Sequence, residues 1–335
     1  MMKCEAMRLP FFFSLASLFS GVMVGVVATS FAGDYEDARK LFDSQKWSEA
    51  LPLLLQLKEE EPDSVLISED LAQVLLRLNR REEALELLKK HHLNRPAEIA
   101  GKTFLSKEGF RFYQQGLDWL GKRSYSQACE RFERALEKDQ GHFQVLLRLA
   151  QCETLDGNAE LSLKLLDTLE RIYGKSTESD LWRARAYGLR GRAEEAVVLF
   201  SSLASSKPPE PYAEWNTLWW AEALVGTGSK SFTGPLLEND AKKNPSHLMV
   251  ALASLRFRIA SAESTNQYQA LLGELDKYLV NIARRKKEKK KPSVEEALNI
   301  FDADALERGA AELRLLVKAQ LPSPLPSLSP APRRH

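Results

Sequence analysis

Catalysis and metal binding need polar groups that converge, so the histidines and cysteines are the first residues to weigh. The chain has five histidines: His91, His92, His142, His247 and His335. If helical, the adjacent His91 and His92 point about 100° apart, which is not the i, i+4 placement of a ligand pair. Cys4 lies near the start, and Cys129 and Cys152 stand 23 positions apart, so neither spacing resembles a zinc knuckle. There is no HExxH, no glycine-rich phosphate loop and no GxSxG. Carboxylates are abundant, but in helical patterns they read as solvated surface. The expectation is a protein without catalytic residues, metal ligands or a cofactor. Cys129 and Cys152 have two readings, a disulfide or two buried thiols packed as small apolar groups, and the second is the default.

One basic run stands out: RRKKEKKK, Arg284–Lys291. It fits an anionic lipid surface, nucleic acid or an acidic partner, or simply the solvated end of a helix before Pro292. The chain as a whole gives no support to a polyanion partner, because 47 basic and 46 acidic residues leave a net charge of +1. No nucleic-acid partner is expected. At the other end, Lys3 and Arg8 precede the uncharged run Leu9–Ala28. A basic start, an apolar run and small residues make an export signal over residues 1–32, cut before Gly33 or before Thr29. An apolar run of about 18–20 residues also suffices for an uncleaved inner-membrane anchor. Either way the expected location is the cell envelope or periplasm, with membrane contact open to the N-terminal segment or to residues 284–291.

Elements able to position a binding surface appear when short stretches are compared along the chain. WSEAL at Trp47–Leu51 recurs as REEAL at Arg81–Leu85, so Ala50 maps onto Ala84. Ala128, Ser162 and Ala196 continue the series at steps of 34, after one longer step of 44 between Ala84 and Ala128. Twelve residues before each stands another small residue: Ala38, Ala72, Gly116, Ala150 and Ala184. Between the two there is room for a pair of antiparallel helices and a tight turn, with Asn79, Gly121, Gly157 and Gly191 as turn residues. Small side chains let crossing helices approach closely. Leu54, Leu88, Phe132, Leu166 and Phe200 follow four residues later on the same helix face, where they fill the gap to the next pair. Twelve residues on lie Pro62, Pro96, Gln140, Gly174 and Pro208; the prolines remove a helical N–H and stop the second helix. A sixth, weaker copy fits Ala221, Thr233 and Pro245, and a seventh begins at Ala253 without a recognisable second half. One such hairpin cannot bury its apolar face alone, so neighbours must stack.

Over roughly Asp34–Pro245 this pattern resembles the tetratricopeptide repeat family, which has the same period. The family's first Trp and Leu-Gly are mostly absent, and Gln140 and Gly174 replace its closing Pro. The resemblance implies an all-α fold, a right-handed α-solenoid of antiparallel helix pairs. Repeats one and two would occupy 33–96, a connector 97–109 and repeats three to six 110–245. C-terminal capping helices with the basic tract would fill 246–320. The tail, 321–335, is Pro/Ser-rich and has no composition for a core.

The resemblance also implies that first helices line a concave face where a peptide or partner protein lies. Counted from the small first-helix residue, the groove positions are Arg39, Glu69, Gln73, Tyr113, Gln151, Arg185, Trp215 and Glu222, and Tyr113, Gln151 and Arg185 are the foremost candidates. The Lys and Asn of the family's carboxylate clamp are missing, which disfavours a chaperone-tail receptor. The expected function is a non-catalytic protein-interaction scaffold of the envelope. The alternatives are a structural subunit of a larger envelope or secretion assembly, and a membrane-tethered protein using its basic tract at an anionic surface.

Overall fold

Helix pairs follow from the alternation of apolar stripes and turns, and the computed structural model has them at each recognised copy. It describes residues 33–287 and 302–321; residues 1–32 with the expected export signal, residues 288–301 with the end of the basic tract, and the tail from 322 lie outside the described residues. Among the described residues the regular structure is helical, with no strand. The helix at 33–43 (α1) pairs with α2 (Trp47–Glu60), and α3 (Val65–Arg77) with α4 (Arg81–Lys90). A single helix, α5 (Asn94–Lys102), holds most of the insertion. Then come the pairs α6 (Lys107–Gly121) with α7 (Tyr125–Lys138), α8 (Phe143–Asp156) with α9 (Ala159–Tyr173), and α10 (Thr177–Leu189) with α11 (Ala193–Ser206). The sixth pair is α12 (Tyr212–Gly226) with α13 (Lys230–Lys243), and the seventh is α14 (Leu248–Ala260) with α15 (Thr265–Lys287). The last helix is α16 (Ala303–Ala319).

The small residues pack where the spacing puts them. Ala38, Ala50, Ala72, Ala84, Ala128, Ala150, Ala184 and Ala196 are all buried, as are Leu54, Leu88, Phe132, Leu166 and Phe200 beside them. Each of those larger side chains contributes about 1.5–3 kcal/mol by leaving water. Gly116 shows why the first-helix position is small: a Cβ built there would lie 2.5 Å from the Phe132 ring. Ser162 is polar yet fits, because its hydroxyl donates to the carbonyl of Ala150, its partner position, at 2.8 Å. Cys129 and Cys152 are buried and free, with the Cys152 thiol donating to the Tyr125 carbonyl at 3.1 Å. Contact with Cys152 and burial push the Cys129 thiol upward, away from reactivity.

Two sequence expectations need correction. The left-handed turn residue falls seven positions after the small first-helix residue in the first six of the seven pairs, at Gln45, Asn79, Arg123, Gly157, Gly191 and Gly228. In the third pair this is Arg123, not Gly121, which closes α6 instead. Pro96 does not end α4; it lies in the first turn of α5, where a missing N–H costs little. The insertion helix is held by a buried arginine: Arg81 donates to the carbonyls of Ala100 and Thr103 at the end of α5.

The chain divides into two compact units, one through Leu105 and one from Ser106. Unit 1 holds α1 to α5 and unit 2 holds α6 to α16. Within unit 2, α15 and α16 continue the stacking. Leu252, Leu275, Tyr278, Ala310 and Val317 share a core with α14, and Arg314–Asp276 and Lys286–Glu307 pair across α15 and α16. The fold is an all-α helical-repeat solenoid. No helix among the described residues is long and apolar enough to cross a membrane.

Candidate protein-interaction surface

First helices carry all the residues that the sequence assigns to a groove. In unit 1, Tyr35 Oη and Arg39 Nη1 on α1 both donate to the carboxylate of Asp70 on α3, at 2.7 and 2.6 Å. Asp70 is buried, and burial together with this bond pushes the Tyr35 hydroxyl up to about 12. Gln73 and Leu66, one turn away on either side of Asp70, are exposed, and the adjacent Glu69 is half-buried.

In unit 2 the corresponding residues are drawn inward. Tyr113 on α6 is buried with its ring 5.7 Å from that of Phe132, and burial raises its hydroxyl pKa. Gln151 on α8 is 0% exposed. Its amide accepts from Arg148 Nη1 at 2.6 Å and donates to Glu178 Oε1 of α10 at 2.8 Å. Helix α8 is enclosed along nearly its whole length, so Arg148, Gln151 and Glu153 are buried with Val145 to Leu147. Arg185 on α10 pairs with Glu222 on α12 and stacks over the Trp219 ring, 5.2 Å from its centroid. Trp215 is 3% exposed. It belongs to an aromatic cluster with Trp182 at 6.2 Å, Trp219 at 5.9 Å and Tyr212 at 5.7 Å. Glu222 is about half-exposed.

Several of the eight candidates therefore share a second property. Arg39–Asp70, Gln151–Glu178 and Arg185–Glu222 each join the first helix of one pair to the first helix of the next. The first two of these polar rungs satisfy groups that would otherwise be buried unpaired, Asp70 and Gln151. In unit 1 Gln73, Glu69 and Arg39 keep side chains open or partly open to water; in unit 2 Arg185 and Glu222 do so, whereas Tyr113, Gln151 and Trp215 are buried. The partners Asp70, Arg148, Glu178 and Trp182 are absent from the sequence reading. Arg148 did leave a signal, a lone charge inside the apolar run VLLRLAQC.

Open residues on the same helices complete the surface. On α6, Phe110 is 47% exposed and Gln114 is exposed one turn on, with Leu117 half-buried beyond it. Leu189 ends α10 and Val225 lies near the end of α12, both exposed. The face thus mixes apolar, amide and charged groups, without a cluster of His, Cys, Asp and Glu able to hold a metal among the described residues.

Family models described as tetratricopeptide repeat match residues 41–107 and 113–177. These two stretches are tetratricopeptide repeats. The matched segments fall on α1 to α5 with the start of α6, and on α6 to the first residue of α10. Among curated proteins none matches this chain in sequence. Several solved structures are similar in fold. A tetratricopeptide repeat protein from Parabacteroides merdae ATCC 43184 is 14% identical, with 81% of this chain and 98% of that one covered, at a TM-score of 0.45. A Rap protein complexed with Competence and Sporulation Factor is 12% identical, with 87% and 98% covered, at 0.47. YrrB, described as a tetratricopeptide repeat protein with an unusual peptide-binding site, is 17% identical, with 59% and 95% covered, at 0.36.

Proposed function

We propose that this repeat protein is a non-catalytic interaction scaffold that holds a peptide or a partner protein on the open face of its first helices. The observation that carries the reading is the composition of that face. Gln73 and Glu69 stand beside Leu66 on α3, and Gln114 stands beside Phe110 on α6, so hydrogen-bonding groups alternate with apolar anchors. Amides and carboxylates at that spacing suit an extended backbone, and the apolar residues suit alternate side chains of it. The Leu9–Ala28 run supports export to the envelope, with the chain either released or anchored there. Arg284, Arg285, Lys286 and Lys287 end α15, and their charge supports contact with an anionic lipid surface if the anchor is kept.

A second reading has its own observation. Val198 on α11 and Phe232 on α13 are each 68% exposed, more than any large apolar residue of the first helices. These second-helix residues fit a structural subunit held in an assembly by its outer side. Position-resolved photocrosslinking in the native host separates the two. A photoreactive residue is placed in turn at Gln73, Gln114, Val198 and Phe232 of the full chain. Adducts from Gln73 and Gln114 with none from Val198 and Phe232 are expected. The reverse pattern would give the function to the second helices.

A further inference from the structure

Helix α16 stands where an eighth pair would begin. A first helix such as α10 packs on the first helix before it, α8, on the second helix before it, α9, and on its own second helix, α11. Helix α16 has the first two kinds of neighbour and lacks the third. It packs on α14 and α15, and among the described residues no helix lies along it as α11 lies along α10. Gly309, Ala310 and Val317 face inward, and a Cβ on Gly309 would meet Arg256 of α14 at 2.7 Å. Residues 322–335 carry prolines at 322, 324, 326, 330 and 332, a spacing incompatible with a helix.

The side left bare is apolar. Leu315 is 68% exposed and Leu316 60%, with Ala311 and Ala319 exposed one turn to either side of Leu315. A terminal helix that only capped the array would turn a polar side outward. The charges of α16 divide in the same way. Asp304, Glu307 and Arg314 pair with Lys286 and Asp276 of α15. Glu312 and Lys318, three residues to either side of Leu315, are exposed and make no ion pair among the described residues.

We propose that α16 is a dimer interface: α16 of a second copy of this chain lies antiparallel along it and takes the place of the missing second helix. A two-fold axis through Leu315 makes the contact isologous. It sets Leu315 against Leu315 of the second copy and Ala311 against Ala319, where small side chains let the helix axes approach to about 8 Å. The same register sets Glu312 against Lys318 of the second copy, twice over, so the two unpaired charges complete each other. Arg308 then stands beside the carbonyl end of the other α16, where a cation is favoured. One helix pair buries less than a standard interface, so the dimer is weak, with a Kd on the order of 10 µM.

Sedimentation equilibrium of the full chain, over about 1 to 100 µM, should show the wild type passing from monomer to dimer. Leu315→Lys should weaken the dimer about tenfold or more, because two like charges then meet on the axis. Glu312→Lys alone and Lys318→Glu alone should each weaken it about threefold to tenfold, and the two together should restore it, since the exchange keeps both pairs. All three residues are exposed, so circular dichroism should find helix content and melting unchanged. A photoreactive residue at Leu316, irradiated in the native host, should give adducts between two copies. A wild type that stays monomeric, or a dimer indifferent to Leu315→Lys, overturns the interface. A double exchange no better than the single ones overturns the antiparallel register. Adducts from Leu316 to residues 322–335 of its own chain, or to a different protein instead of a second copy, would give the face to that occupant and overturn the dimer.

Discussion

His247 stands at the junction of the sixth and seventh pairs, buried, with Nδ1 2.7 Å from Asp240 and Nε2 2.7 Å from Glu210. Burial alone would lower its pKa, but the two carboxylates outweigh it and raise the imidazole from 6.5 to about 9. A histidine raised in the folded state adds stability that is complete below about 6.5 and is lost as the pH rises through 9. Nearby Glu214 accepts from the Met249 N–H at 2.8 Å, and burial raises its carboxyl from 4.5 to about 6. Its contribution is also lost with rising pH, but in the earlier window between those values. Urea denaturation across pH 5 to 10 should therefore show a decline on the order of 1–3 kcal/mol above pH 6.5, discounted for the exposed Glu210. His247→Asn should remove that decline and leave the Glu214 window in place. An unchanged slope in the variant would mean that the imidazole is not held charged. At this scale the small and large core residues were legible from their period, because close helix crossing leaves a direct signature in residue size. The rungs were not. Gln151 and Glu178 look like ordinary surface residues until their helices, 27 positions apart, pack together, and a substitution at Gln151 tests folding before it tests binding.

Helix α5 shows how one buried side chain can hold an element that lies outside the repeat. It is nine residues long, too short to be stable alone, and carbonyls at its end take donors from outside the helix. Arg81, at the start of α4, supplies them: its guanidinium donates to Ala100 and Thr103 while the side chain is 1% exposed. Arg81→Met keeps much of the volume and deletes these donors. It should cost about 1.5–3 kcal/mol, the range for hydrogen bonds to a charged group. It should also speed hydrogen exchange in residues 94–102 while α2 and α3 keep their protection. Equal loss throughout unit 1 would show that Arg81 supports the whole core and not the insertion helix. Helix pairs one to six were readable because each small residue recurs at a fixed spacing. The insertion helix and α16 were harder, since neither has a copy elsewhere for comparison, and α15 runs 23 residues, well past a repeat's second helix. An arginine at a helix start reads as surface charge, so the sequence held no sign that Arg81 faces inward.

Across the whole molecule, stability should be local, because a stacked array joins each pair mainly to its neighbours and the chain divides at Leu105 and Ser106. Unit 1 has its own core in Leu54, Leu57, Ile67, Leu71 and Leu85, and unit 2 has Phe132, Leu147, Leu166, Trp182 and Phe200. Gly116 offers a way to strain one and spare the other. Any Cβ at this position meets the Phe132 ring, which is fully buried and has no room to retreat. Gly116→Val should therefore destabilise unit 2 by about 1–3 kcal/mol through overpacking, offset by a few tenths from the better helix propensity of valine. Hydrogen exchange read along the full chain should show α6 to α9 losing protection while residues 33–102 keep theirs. If the photocrosslinks from Gln73 persist in this variant while those from Gln114 fade, each unit presents its own share of the binding face. Were residues 33–102 to lose protection to the same extent as α6 to α9, the two units would fold as one cooperative body, and a partner bound to either would be felt by both.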